Sequence, residues 1–312
     1  TVSQAEAKCL LCREENDDQH PSDKNHIHKK GEWTIGYRFS SEKFSRYYSG
    51  SKQISLDSVS NSGFPMVPSN MTMEMHMLDI MYVISDDLTL MLMPSYRSMD
   101  MGMGMNHTHG TSGIGDTVLS ALYRIQNHGM HQTHVTLGIS APTGSVTKKN
   151  SKGKLTHYDM QLGSGTWDFL PSITYSGFSE RLSWGGQLQY RTPLENRNKS
   201  GYALGDVFDA HVWTAWKLVP WLSISSRIHY SERDSIDGAY PNAMVMSPSD
   251  DPDNYGGEFV ILGLGANVAL KKGPLAGVRL GIEWEELLDE KYHGIQLGKS
   301  DKLNFTISYS FD

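Results

Sequence analysis

The stretch "KLNFTISYSFD", residues 302–312, decides how the rest of the chain is read. Leu303, Phe305, Ile307, Tyr309 and Phe311 are apolar, and the residues between them, Asn304, Thr306, Ser308 and Ser310, are small and polar. Side chains leave a β-strand alternately to its two sides, so this segment is a strand with one oily and one wet face.

The same alternation recurs upstream. Val278, Leu280, Ile282 and Trp284 oppose Arg279, Gly281 and Glu283; Leu222, Ile224, Ile228 and Tyr230 oppose Ser223, Ser225, Arg227 and His229. Phe208, Ala210, Val212, Trp216 and Leu218 oppose Asp209, His211 and Lys217, and Leu182, Trp184, Leu188 and Tyr190 oppose Ser183, Gln187, Gln189 and Arg191. Further runs at 260–270, 167–175, 135–141, 117–125, 88–93, 71–84 and 33–39 bring the candidates to twelve, an even number. The connections alternate in length. "SDD" (85–87), "NHGMH" (127–131), "SER" (179–181), "VP" (219–220) and "KKGP" (271–274) are tight, whereas long polar segments fall near 41–68, 98–114, 142–157, 195–204, 233–255 and 286–300. Short turns on one rim and long loops on the other describe an outer-membrane barrel. A soluble sandwich also alternates, but its strands would not carry aromatics so regularly at their ends or charges so often on the opposite face. The expectation is an all-β chain: a single antiparallel transmembrane-type β-barrel of about twelve strands over residues 32–312. An extended N-terminal tail, residues 1–31, precedes it and carries a CxxC motif. An aromatic beside the C-terminus is also similar to the assembly signal of bacterial outer-membrane barrels, although Asp312 follows it here.

Bulk composition is compatible. The 35 acidic residues outnumber 28 Lys and Arg, giving a net charge of −7 that argues against a nucleic-acid partner. No run of about 18 apolar residues signals a transmembrane helix. A mean hydropathy of −0.43 hides a lipid face when every second residue lines a wet lumen.

At "HKKGEW" (28–33), "MTMEMHMLDIMY" (71–82), "SDDLTLM" (85–91), "GDT" (115–117), "GISAPTGS" (138–145) and "QLGSGTWDFLPSITY" (161–175) the chain resembles a bacterial family. That family is described as "putative MetA-pathway of phenol degradation", and its members are mostly called outer-membrane transporters. The resemblance runs over about residues 26–312 and implies an outer-membrane β-barrel in the bacterial cell, surrounded by lipid. Members with Met- and His-rich segments look like companions of copper handling. The cysteine-bearing tail lies outside the shared pattern.

Methionine is the unusual element of composition. Twelve of the sixteen methionines lie between Met66 and Met105, so they mark one region of the barrel. In "RSMDMGMGMNHTHG" (97–110), Met99, Met101, Met103 and Met105 precede His107 and His109 in a segment read as an extracellular loop with little core to fill. Thioether sulfur is soft and imidazole borderline, a ligand set that suits copper, with Met favouring Cu(I). Met75, Met77 and His76 on the preceding strand are candidates to join the site. The alternative is that methionine fills gaps between strands, and an apparent change of face near Met77 and Leu78 leaves the register of that strand open.

Cys9 and Cys12 in "CLLC" have the spacing of a disulfide or a metal pair; Arg13 stands where a haem motif needs His. Arg124, Arg191, His211, Arg227, Arg279 and Glu283 are expected to line the lumen. No "GxSxG" or phosphate-binding glycine loop is found, so no enzymatic activity is expected. Two functions remain: a channel or transporter with a copper-binding Met/His loop, or a structural barrel that self-assembles or docks a partner through its tail.

Overall fold

In the computed structural model, which describes residues 30–103, 108–241 and 244–311, antiparallel strands dominate. They are β1 (Trp33–Gly50), β2 (Lys52–Ile54), β3 (Asn70–Ser85), β4 (Leu88–Met93), β5 (Ser95–Gly102), β6 (Thr108–Ile114), β7 (Thr117–His128) and β8 (His131–Ala141) in the first half. The second half holds β9 (Asp168–Phe178), β10 (Leu182–Pro193), β11 (Tyr202–Ala203), β12 (Val207–Val219), β13 (Leu222–Arg233), β14 (Asp237–Gly238), β15 (Gly257–Ala269) and β16 (Val278–Phe311). A short helix, α1 (Leu56–Asn61), follows β2.

Closure is made by β1, which pairs with β16 along one edge and with β3 along the other. Eleven elements complete the ring, in the order β1, β16, β15, β13, β12, β10, β9, β8, β7, β4, β3. β16 is two staves rather than one. Its first part pairs with β15 over 279–292 and its second with β1 over 292–311. Arg279 Nη1 reaches Ser310 Oγ at 3.2 Å and Asn304 Nδ2 reaches Glu285 Oε1 at 2.6 Å, so the two arms lie side by side. The ribbon doubles back at Gly294, whose φ of 59° is a conformation that side chains disfavour. With this hairpin the ring has the twelve staves read from sequence.

The two faces sort as the alternation requires. Leu303, Phe305, Ile307, Tyr309 and Phe311 are 37–45% exposed on the outside, whereas Asn304 and Thr306 are 6% and 3% exposed on the inside. Ile35, Leu92, Leu119, Leu137, Ile173, Leu188, Val212, Ile228, Leu264 and Ile282 continue that outer belt. Aromatics flank it: Trp33, Tyr82, Tyr123, Tyr175 and Trp216 toward the short-turn rim, Tyr96, Trp167 and Tyr190 toward the other. Such a belt between aromatic girdles is the lipid-facing surface of a transmembrane barrel.

Three segments expected as long loops are strands instead. Residues 41–50 extend β1, 286–300 form the top of the β16 hairpin, and 98–102 and 108–114 form most of β5 and all of β6. Above the belt the outer face meets water, so the apolar signal fades while the backbone pairing continues. In β16 a bulge also breaks the period: Val260 faces Asp289 and Ile261 faces Leu287, skipping a residue. β5 and β6 are not separate staves. β5 continues β4 past Pro94 along the upper half of β3, and β6 leads through Gly115 and Asp116 into β7.

Ile307 sits midway along the outer belt. Ile307→Arg is expected to cost about 2–4 kcal/mol of folding stability in urea titrations in lipid vesicles, the penalty for a cation near the bilayer midplane.

Candidate functional site

The inner wall carries two neighbouring rows of thioethers, broken by Asp79 on one stave and by Ser95 and Arg97 on the other. On β3 the odd-numbered residues Met71, Met73, Met75, Met77 and Met81 share the face of Asp79, and Asp79 pairs with Arg38 inside the lumen at 2.5 Å. No change of face occurs at Leu78. On the neighbouring stave Met91, Met93, Met99 and Met101 take the same side, all at most 5% exposed. Pro94 interrupts the ladder of hydrogen bonds without shifting the phase, because β4 and β5 stay in one register against β3. Met81 faces Met91, Met73 faces Met99 and Met71 faces Met101 across the strands. Arg38 Nη2 lies 3.4 Å from the Met93 sulfur.

The expected Met/His loop therefore divides. Met99 and Met101 are fully buried on the wall, Met103 packs partly buried against them, and His109 is half-buried on β6 opposite Met101. Met105 and His107 lie outside the described residues, as do Cys9 and Cys12. His76 belongs to the other face. Being even-numbered it points outward, where Tyr37 Oη meets its Nδ1 at 2.7 Å and the rings of Phe39 and Tyr96 flank it. A residue between two inward methionines on a strand cannot share their side.

The outer mouth is filled by the loops that follow β8, β10 and β13. Met160 and Leu162 pack against Met71, Met99 and Met101, while Val146, Tyr158, Tyr202 and Ile236 form a second buried cluster with Tyr240 and Tyr255. Tyr158 and Tyr240 stack at 4.3 Å. Polar anchors tie this cap to the wall. Asp116 accepts from Gly144 N at 2.9 Å and Ser164 N at 2.7 Å, and Thr111 donates to the Met160 carbonyl at 2.7 Å. A Cβ at Gly163 would collide with the Asp116 carboxylate. At the cap's edge His157 Nδ1 and Asp250 Oδ1 lie 2.6 Å apart.

Several lumen charges are paired. Arg227 donates to Glu283 at 2.5 Å and to Glu285 at 3.0 Å, and its Nη1 lies 3.2 Å from His211 Nδ1. Arg191 bonds Asp168 at 3.0 Å and Arg279 bonds Ser310. Arg124 has the inward phase but sits at the short-turn rim, held by Asp87 and the Asp86 carbonyl. Sequence reasoning did not single out Asp209 and His229 as a site, yet His229 Nε2 lies 2.7 Å from Asp209 Oδ1 and its ring stacks on His211 at 4.1 Å. The signal was available: 211 and 229 are equidistant from Pro220, so a tight hairpin there sets them opposite each other.

A model of the family described as "putative MetA-pathway of phenol degradation" matches residues 87–286. Among solved structures, an outer membrane channel from Pseudomonas putida F1 is similar with a TM-score of 0.67 and 15% identity, over 94% of this chain and 100% of that one. The β domain of the Bordetella autotransporter BrkA is similar with a TM-score of 0.50 and 11% identity, over 90% and 100%. At these identities the likeness speaks to the fold. No curated protein matches the chain. Together with the oily belt, these matches make the chain a β-barrel of the bacterial outer membrane, with lipid as its surroundings.

Two outcomes follow from the geometry. Arg227→Ala removes the cation that two inward carboxylates share, so the folded barrel should lose about 3–5 kcal/mol in denaturant titration. The cap should also respond to pH. Burial pushes the Asp159 carboxyl from 3.8 up to about 6, so its contribution is complete below 3.8 and is lost as pH rises toward 6. Burial opposes protonation of His157, but the hydrogen bond to Asp250 and the charges of Asp159 and Asp250 outweigh it and hold the imidazole above 6.5. Its contribution is present below 6.5 and lost as pH rises through the shifted value. Partial burial raises the Asp250 carboxyl, but the bond from His157 and its charge outweigh that and hold it below 3.8, so its contribution fails only in stronger acid. Amide exchange of residues 156–164, compared at constant intrinsic rate, should therefore be slower near pH 5 than near pH 8, and Asp159→Asn should flatten the part of that slope below pH 6.

Proposed function

The chain belongs to the family described as "putative MetA-pathway of phenol degradation", and we propose that it is an outer-membrane channel whose inner wall binds soft metal ions, Cu(I) foremost. The observation that carries this reading is the shared inward face of Met71, Met73, Met75, Met77 and Met81 on β3 and of Met91, Met93, Met99 and Met101 beside it. A lumen needs polar lining, and leucine or isoleucine would make that wall simply oily. Thioethers line it with weak, polarizable acceptors, which are the ligands Cu(I) takes in preference to water.

Successive inward residues on a strand stand about 7 Å apart, and facing pairs are closer. An ion held between Met71 and Met101 thus has the Met73 and Met99 pair one step along, and a third facing pair, Met81 and Met91, lies beyond Arg97 and the Arg38–Asp79 pair. A row of weak sites is what conduction asks for, since each must release what it binds. The cap controls the outer end of this row: Met99 and Met101 are covered by Met160 and Leu162, so the upper rungs bind an ion when the segment carrying these residues moves off the wall. The same methionines give the cap its packing surface, and flexible side chains suit both tasks.

Leucine replaces methionine with nearly the same volume, usually at a cost below about 1.5 kcal/mol. The quadruple variant Met71→Leu, Met73→Leu, Met99→Leu, Met101→Leu should keep its barrel, judged by heat-modifiable gel migration. In a Cys9→Ser, Cys12→Ser background, where tail thiols do not compete, it should bind Cu(I) at least about tenfold more weakly in competition with a chromogenic chelator; equal affinity would leave these methionines with a packing role alone. In planar bilayers Gly163→Ala, which loosens the cap, should raise the open probability above that of the parent chain.

A further inference from the structure

Asp209, His211 and His229 form a second constellation, on the inner wall at β12 and β13 and away from the thioethers. One ligand-type atom from each lies within 4.8 Å of the other two, and among the described residues theirs is the one such His/Asp/Glu/Cys group. His211 and His229 are facing partners in the register, and Asp209 is the next inward residue beside His211. All three project to the lumen from the two arms of one tight hairpin, a rigid platform for a site.

We propose that this triad is a binding site for a borderline divalent transition ion, Zn(II) or Cu(II), independent of the methionine wall. Two imidazoles and one carboxylate are the donor set such ions prefer over Mg(II) or Ca(II), and three protein ligands leave a coordination position open to water or a passing solute. Metal–ligand distances of about 2.0–2.1 Å put tetrahedral ligand atoms about 3.3 Å apart, so small side-chain rotations bring the group from its present spacing to coordination. The pair His229 Nε2 and Asp209 Oδ1 is already closer than that, at 2.7 Å, with a proton shared along the bond. On metal binding the ion takes the place of that proton, which passes to His229 Nδ1 when the ring is neutral and leaves to water when it is an imidazolium.

A second observation points the same way. His211 is 1% exposed and its Nε2 has no hydrogen-bond partner, although a buried imidazole nitrogen normally finds one. The other nitrogen, Nδ1, receives Arg227. That guanidinium does not repel an incoming cation as a bare charge would, because Glu283 and Glu285 both clasp it, and Glu285 is held in turn by Asn304. The bond to Arg227 orients the ring, as an outer-shell partner orients a metal-bound histidine.

The test uses the intact, detergent-folded chain, whose tail carries Cys9, Cys12 and three further histidines able to take up zinc elsewhere. Location therefore has to be read directly. Crystals soaked in Zn(II) should show anomalous scattering at the zinc edge within bonding distance of Asp209, His211 and His229. In solution, Asp209→Asn and the double variant His211→Gln, His229→Gln should each lose one zinc equivalent relative to the parent chain, or bind it at least about tenfold more weakly, with heat-modifiable migration showing that the barrel has formed. No anomalous peak at the triad, or the same number of zinc equivalents at unchanged affinity in both variants, overturns the proposal. The methionine-to-leucine variant should keep this zinc equivalent, so the two sites stand or fall separately.

Discussion

Inside hydrocarbon no water is available to a peptide group, and every N–H and C=O has to find its partner within the protein. That demand makes β1 the closing member of the wall. Its residues 33–42 pair with 311–302 on one side and with 82–73 on the other, so both ends of the described barrel meet on a single strand. Once that closure exists, each stave has only two phases, and a slip of one residue would turn the oily face inward. Phase, more than residue type, decides which side chains meet in the lumen.

The methionines show how strong that constraint is. Proline at 94 removes a backbone donor and ends one hydrogen-bonded segment, yet Met91, Met93, Met99 and Met101 stay in phase because β3 runs unbroken beside them. The charged residues obey the same rule. Arg38 and Asp79 come from different staves, as do Arg227 and Glu283, and each pair forms because both partners have the inward phase. Such pairs satisfy much of the buried charge locally, and on the same wall the thioethers and His211 Nε2 keep coordinating capacity to spare.

The staves, their faces and the two girdles were legible because lipid imposes a period of two on the outer surface, and Leu303 to Phe311 shows it without interruption. The hairpin tops were not, since the outer face of residues 286–292 is wet and a bulge shifts its phase. His76 was assigned by its neighbours in sequence, when adjacency on a strand means opposite sides. Met99 and Met101 looked exposed because their packing partners, Met160 and Leu162, lie some 60 residues away in a loop. Asp209, His211 and His229 were each visible as inward polar residues; what brings them together is the cross-strand register, which counting from Pro220 supplies.

Above the bilayer β6 hydrogen-bonds to β5 along one edge, and among the described residues no strand takes its other edge. The segment after β8 stands there instead, with Lys148 Nζ on the Ser112 carbonyl and Thr111 on that of Met160. The cap is therefore part of the cylinder's side as much as its top: it serves as a plank in a gap of the palisade. Displacing it uncovers a row of unmatched peptide groups facing sideways, the kind of border to which another extended polypeptide adds itself.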